Sequence, residues 1–137
     1  MKLTFEADFP NFEQWEFACK DGCGRNIVDG RILYMLQFVR NRYKKPVVIT
    51  SATRCAKYNA SLPGSIVSSD HIKGNAVDFS IEGRTDTLEG RKTIIKELAA
   101  FPGFKYGYCN GWILYADGRE AVKKAPNMGN SIHISVK

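Results

Sequence analysis

Histidine is nearly missing from this chain: His71 and His133 are the two it has among 137 residues. Any site built on imidazole nitrogen therefore has its ligands named by composition alone. Acid is missing from the end of the chain, where residues 121–137 contain no aspartate or glutamate. No apolar run approaches the ~20 residues that cross a bilayer as a helix, so membrane insertion is not expected. Repeats, low-complexity tracts and linkers are absent too, and residues 1–137 read as a single domain with one core. The N-terminus carries Glu6 and Asp8 where a secretion signal would have its apolar stretch, so synthesis in the cytoplasm without a signal peptide is expected. Cysteine is limited to Cys19, Cys23, Cys55 and Cys109, which without an export signal are expected as free thiols rather than a disulfide framework. Cys19 and Cys23 stand in Cys-Lys-Asp-Gly-Cys-Gly, a spacing that could hold a structural metal given two further ligands.

What is present is the composition of a soluble globular protein, 44% apolar and 25% charged. The net charge of +6 and pI near 9.2 favour an anionic partner, which charge alone does not identify. The basic residues are scattered, and no nucleic-acid-binding motif accompanies them, so nucleic acid is not the expected partner.

Apolar residues at Ile32, Leu33, Leu36, Val39 and Tyr43 recur at three- and four-residue steps and predict an amphipathic helix over 29–42, ended by Pro46. Val47-Val48-Ile49-Thr50 reads as a short strand, and residues 51–70 as a long loop rich in Ser, Asn, Pro and Gly. In a strand over 75–80, alternation puts Val77 and Phe79 on one face and Asp78 on the other. Asp86 and Glu89 at capping-box spacing introduce a second helix over 88–101. Two strands flanking Asn110-Gly111 predict a type I′ hairpin. A final strand over 131–136 buries Ile132, Ile134 and Val136 and turns His133 and Ser135 away. The aromatics Phe5, Phe9, Phe12, Trp15 and Phe17 predict an N-terminal wrap closing the core. This order indicates an α+β domain, an antiparallel sheet with helices packed on it.

Asp78 and His133 each sit between apolar neighbours on a strand, so both side chains point away from the core. With His71 they make two imidazoles and one carboxylate, the ligand set of a catalytic zinc site with a fourth position free. Six residues between His71 and Asp78 are weak evidence alone. The same ligands serve Fe(II) oxygenases, but the spacing fits those poorly. No cysteine environment looks like an activated thiolate.

The wider context is more specific. Ile49-Thr-Ser-Ala-Thr-Arg54, Asn59, Gly64, Ser69-Asp-His71, Gly74 and Ala76-Val-Asp78, followed by a C-terminal strand with His133, closely resembles the zinc peptidases that include D-alanyl-D-alanine carboxypeptidases and the L-alanyl-D-glutamate endopeptidases of phage endolysins. Glu16-Phe-Ala-Cys19 is also similar to phage members, and the resemblance covers roughly residues 12–137. It implies a D,D-peptidase-like fold with a zinc site in a cleft, shared with the metal-binding domain of Hedgehog proteins. Zn2+ would be held by His71, Asp78 and His133. Arg54 would clamp a substrate carboxylate or the oxyanion, Ser69 would position the ligand loop or substrate, and Gly74 would let the backbone turn between ligands. The implied activity is that of a monomeric murein peptidase cutting peptidoglycan stem peptides beside a D-amino acid, acting at the bacterial cell wall after release by a lysis system.

One position departs from the pattern. The family's general base is an acid three residues before the last histidine, and here that residue is Asn130. An amide can orient water and cannot take its proton. Asp117 and Glu120 are the nearest acids in sequence that could replace it. The alternative is an impaired or non-catalytic zinc module of the same fold, since the final His-Ile-Ser-Val-Lys is also similar to the Hedgehog domain.

Overall fold

The structure, a computed structural model, describes residues 8–122 and 128–137. Its centre is a six-stranded antiparallel sheet: β1 (Val47–Ser51), β2 (Ala76–Ile81), β3 (Phe104–Cys109), β4 (Trp112–Tyr115), β5 (Glu120–Val122) and β6 (Ile132–Val136). The spatial order is β1-β2-β6-β3-β4-β5, so the last strand is inserted between β2 and β3. Helices α1 (Gly30–Tyr43), α2 (Ala56–Ser61) and α3 (Leu88–Leu98), with a 3-10 turn at Gln14–Phe17, complete the described elements.

The α1 stripe buries Ile32, Leu33, Met35, Leu36 and Val39 against one face of the sheet. Asp29 caps its start by accepting from the Arg31 backbone N–H, and Lys44 in the left-handed region ends it two residues before Pro46. On the same sheet face α3 buries Ile94, Ile95 and Leu98. It packs closest at Gly107 of β3, where a Cβ would stand 2.5 Å from Ile95 Cγ2. Val77, Phe79, Ile132, Ile134 and Val136 supply the sheet's side of this core, as alternation predicts. The α+β, antiparallel architecture is therefore the one expected.

Several local expectations need correction. The segment 51–70 is not all loop, because α2 forms within it behind an N-cap at Cys55. The cap of α3 is Thr87, whose hydroxyl accepts from Gly90 N–H, while Asp86 instead accepts from Gly83 N–H. That helix ends at Leu98, short of 101. A third strand, β5, follows the hairpin at a place where the sequence reading had no element. Of the N-terminal aromatics, Phe9, Phe12 and Phe17 are buried and Trp15 is exposed; Phe5 lies outside the described residues. The Asn110-Gly111 turn has φ of 32° and 89°, the two positive values a type I′ turn requires.

Candidate metal centre

Strand register builds the site. Asp78 on β2 lies directly opposite His133 on β6, and both face away from α1 and α3 because their neighbours Val77, Phe79, Ile132 and Ile134 face those helices. His71 reaches the same point from the loop before β2. That loop is held in three ways. Ser69 Oγ accepts from the His71 N–H at 3.3 Å, and Asp70, buried, pairs with Lys105 Nζ at 2.9 Å. Gly74 turns the chain with φ of 76°. A side chain at Gly74 would also collide with Ile27, whose carbonyl oxygen is 2.9 Å from the Cβ position. The role read for Gly74 in the sequence is thus a steric requirement of the fold.

The ligand-competent atoms converge. Asp78 Oδ1 is 2.8 Å from His133 Nδ1 and 3.3 Å from His71 Nε2, and all three atoms lie within 4.8 Å of one another. Two donors bound to one tetrahedral zinc at ~2.0–2.1 Å are separated by roughly 3.3 Å, which is the His71–Asp78 distance, while the 2.8 Å between Asp78 and His133 is a hydrogen bond that would open slightly around such an ion. Chemistry agrees with distance. His71 Nδ1 is 2.7 Å from the Ala52 carbonyl oxygen, which can only accept, so Nδ1 carries a proton and Nε2 is the nitrogen left to meet a metal. That buried Nε2 has no hydrogen-bond partner and faces another acceptor, the Asp78 carboxylate. A cation between that nitrogen and the carboxylate would satisfy both. On the other side, His133 Nδ1 hydrogen-bonds Asp78 Oδ1 at 2.8 Å, and Nε2, 2.7 Å from the Ser135 hydroxyl, has an acceptor for its proton when Nδ1 gives up its own to an ion.

The surroundings fix these rings. Tyr106 of β3 stacks on His133 at 5.2 Å between centroids, and the two imidazoles meet edge to face at 5.1 Å. Burial pushes the Asp78 carboxyl up, but the hydrogen bond and charge of His133, with His71 beside it, outweigh burial and hold it well below the usual carboxylate range. Burial raises the Tyr106 phenol, opposed by its hydrogen bond to Ser135. Arg54, just past β1, places Nη2 3.6 Å from Asp78 Oδ2, with its Nε on Ser51 Oγ and its Nη1 on Asn59 Oδ1. Asn59 in turn donates to the Ile66 carbonyl, so the guanidinium is held at both ends by anchored groups.

The remaining candidates stand elsewhere. Glu120 pairs through Leu114 and Gly107 with Ile134, which puts it on the helix-covered face, three strand spacings or about 14 Å from β6. Its carboxylate accepts from Trp112 Nε1. Asp117 is exposed in the β4–β5 turn, accepting from Arg119 N–H. Neither is brought to the ligand set. Asn130 is exposed, with its Oδ1 3.5 Å from Arg91 Nη1. The sequence reading gave no role to Tyr106, Ser135 or the Ala52 carbonyl. Alternation already turned Ser135 to the side of His133; the other two depend on which strands become neighbours. A groove of about 680 Å³ along β1, lined by Trp15, Lys20, Arg40 and Val48 among others, includes none of the three ligands.

Two imidazoles and a carboxylate on the open side of an antiparallel sheet, with a charged fork of donors alongside, make the arrangement of a metal-dependent hydrolase. The sequence model of the Peptidase M15 family matches residues 10–113, and the chain belongs to that family of metal-dependent peptidases. The matched residues contain His71 and Asp78 and stop short of His133, which the β2–β6 register brings to them. No curated protein and no solved structure matches the chain. No described helix is long and apolar enough to cross a membrane.

Proposed function

We propose that this protein is a zinc peptidase of peptidoglycan stem peptides, cutting beside a D-amino acid in the manner of phage endolysins. The observation that carries the reading is the buried, partnerless Nε2 of His71 aimed at Asp78, within reach of His133 Nδ1. His71 Nε2, Asp78 Oδ1 and His133 Nδ1 would hold the ion. Bound there, zinc would supply a Lewis acid and a water of lowered pKa. Arg54, with its planar fork of donors, would bind a substrate carboxylate or the oxygen of the scissile carbonyl. Ser69 would act by holding the His71 backbone, and Tyr106 by keeping the His133 ring in plane. The +6 charge would retain the enzyme near an anionic wall and weaken that retention as salt rises.

A second reading has its own support. Asn130 stands where the family pattern has its acid, and Asp117 and Glu120 lie away from the ligands. A domain without a proton acceptor would bind zinc and wall peptide and turn over slowly or not at all. Incubating the metal-loaded chain with purified muropeptides separates the two. Product that disappears with chelator and in His71→Ala supports the peptidase. Product absent from the wild type and gained in Asn130→Asp marks an enzyme weakened at its base. Stoichiometric metal with no product from either chain supports the binding module and refutes the peptidase.

A further inference from the structure

The C-x3-C pair of the N-terminal segment is joined in space by a third cysteine. Cys55, 36 residues beyond Cys19, brings its Sγ to 3.9 Å from Cys19 Sγ. Asp21 lies between them, with Oδ1 3.1 Å from Cys19 Sγ and Oδ2 3.1 Å from Cys55 Sγ. Donor atoms of Cys19, Asp21, Cys23 and Cys55 all lie within 4.8 Å of one another. We propose that these four side chains form a second metal site, a three-thiolate, one-carboxylate centre that takes a zinc-class divalent cation and has a structural role. The inference goes beyond the peptidase reading and does not depend on it.

The sulfur spacing excludes a disulfide and is compatible with two thiolates sharing one ion. A disulfide needs its sulfurs about 2.05 Å apart. Two thiolates on one tetrahedral zinc, each at ~2.3 Å, stand roughly 3.8 Å apart, close to the spacing found. The backbone is shaped for the same purpose. Gly22 and Gly24 on either side of Cys23 have φ of 77° and 86°, folding the loop back on itself. Cys19 N–H closes that loop on the Arg25 carbonyl at 2.8 Å, and Cys23 N–H bonds to Asp21 Oδ1 at 2.9 Å. Two further backbone N–H groups point at sulfur, Cys55 N–H at Cys19 Sγ and Tyr58 N–H at Cys55 Sγ, each at 3.4 Å. Such donors stabilise a thiolate and orient it toward a metal.

Loading is balanced by proton release: one divalent cation replaces three thiol protons, and the Asp21 carboxylate enters already ionised. Three soft sulfurs and one oxygen in a tetrahedral set favour zinc over calcium or magnesium. All four positions are filled by protein, which is the pattern of a structural rather than a catalytic centre. Its place explains what it would stabilise. Cys55 caps α2 and follows Arg54, whose N–H bonds to the His71 carbonyl, while Thr53 N–H bonds to the Phe17 carbonyl. A cation here would staple the N-terminal segment to the strand end that carries Arg54 and the Ala52 carbonyl.

Metal analysis of the full chain, purified without chelator, tests this. The expected result is one zinc ion more per wild-type chain than per Cys19→Ser/Cys23→Ser/Cys55→Ser chain, whatever the His71 site holds. Loaded with Co2+ alone, His71→Ala/His133→Ala is expected to keep a sulfur-to-cobalt charge-transfer band that the triple serine variant lacks. Should the triple variant not fold, Cys23→Ser alone, at an exposed position, is expected to weaken the second equivalent at least tenfold. Equal metal content in the wild type and the triple serine variant, a cobalt spectrum without the thiolate band, or a Cys19–Cys55 disulfide in protein purified without chelator would each overturn the proposal.

Discussion

Ser135 offers the sharpest perturbation of the His site, because it touches a ligand without being one. It is fully buried on β6, two residues after His133, and its Oγ lies 2.7 Å from His133 Nε2. With Nε2–H donating to that oxygen, Nδ1 can exchange its hydrogen bond to Asp78 for a bond to an ion. Ser135→Ala removes the acceptor while keeping the strand, the register and all three ligands. The imidazole then loses its preference for the Nε2–H tautomer, and its buried Nε2 is left unsatisfied. Loss of an outer partner of this kind reduces metal affinity by about 10- to 100-fold, which is roughly 1.4–2.8 kcal/mol. The assay is competition for Zn2+ against a chelator of known affinity, run beside thermal unfolding of the metal-free chains. Weaker zinc binding is expected beyond the loss of metal-free stability, about 1–3 kcal/mol, that an unpartnered Nε2 brings by itself. Zinc affinity within twofold of wild type would refute the reasoning, because the His133 tautomer would then not be set by Ser135.

Other consequences are equally direct. Gly74→Ala forces a side chain into the left-handed region, costing about 1–2 kcal/mol before any clash with Ile27, and the urea midpoint should fall accordingly. Arg54→Lys loses the fork that engages Ser51 and Asn59, and kcat/KM on muropeptides should drop roughly tenfold or more with little change in zinc content. Lys105→Ala leaves the buried Asp70 carboxylate unpaired; with the lysine nearly half exposed, about 1 kcal/mol is expected in chemical denaturation. In chelated protein Asp78, its folded pKa depressed, contributes stability above the unfolded carboxylate value of about 3.9 and loses it as pH falls further. Asp78→Asn should therefore flatten the acid limb of stability against pH, and an unchanged limb would count against the pairing.

How far the sequence carried depends on the range of each interaction. Local pattern was enough for α1, for the hairpin at Asn110-Gly111 and for the outward facing of Asp78 and His133, since these follow from period and turn chemistry. It mis-set the α3 cap by one residue because Asp86 and Thr87 are both capable, and only their surroundings choose. The short α2 lacks a periodic apolar stripe, and β5 has three residues, so neither leaves a pattern to read. What could not be read was adjacency. The insertion of β6 between β2 and β3 brings Tyr106 to His133, and the approach of residues 52–55 to the N-terminal segment brings Ala52 to His71 and Cys55 to Cys19. Those are contacts between segments far apart in the chain. Glu120 shows the converse: near in sequence to the last strand, it was removed from consideration by one strand's facing.

The pairing of Asp78 with His133 across two central strands has a consequence for assembly. A slip of β6 by one residue would bury the imidazole among the isoleucines and swing an isoleucine toward the aspartate. Tight cation binding is then possible only after the last strand has threaded into its correct slot, so zinc uptake during refolding would time that final insertion.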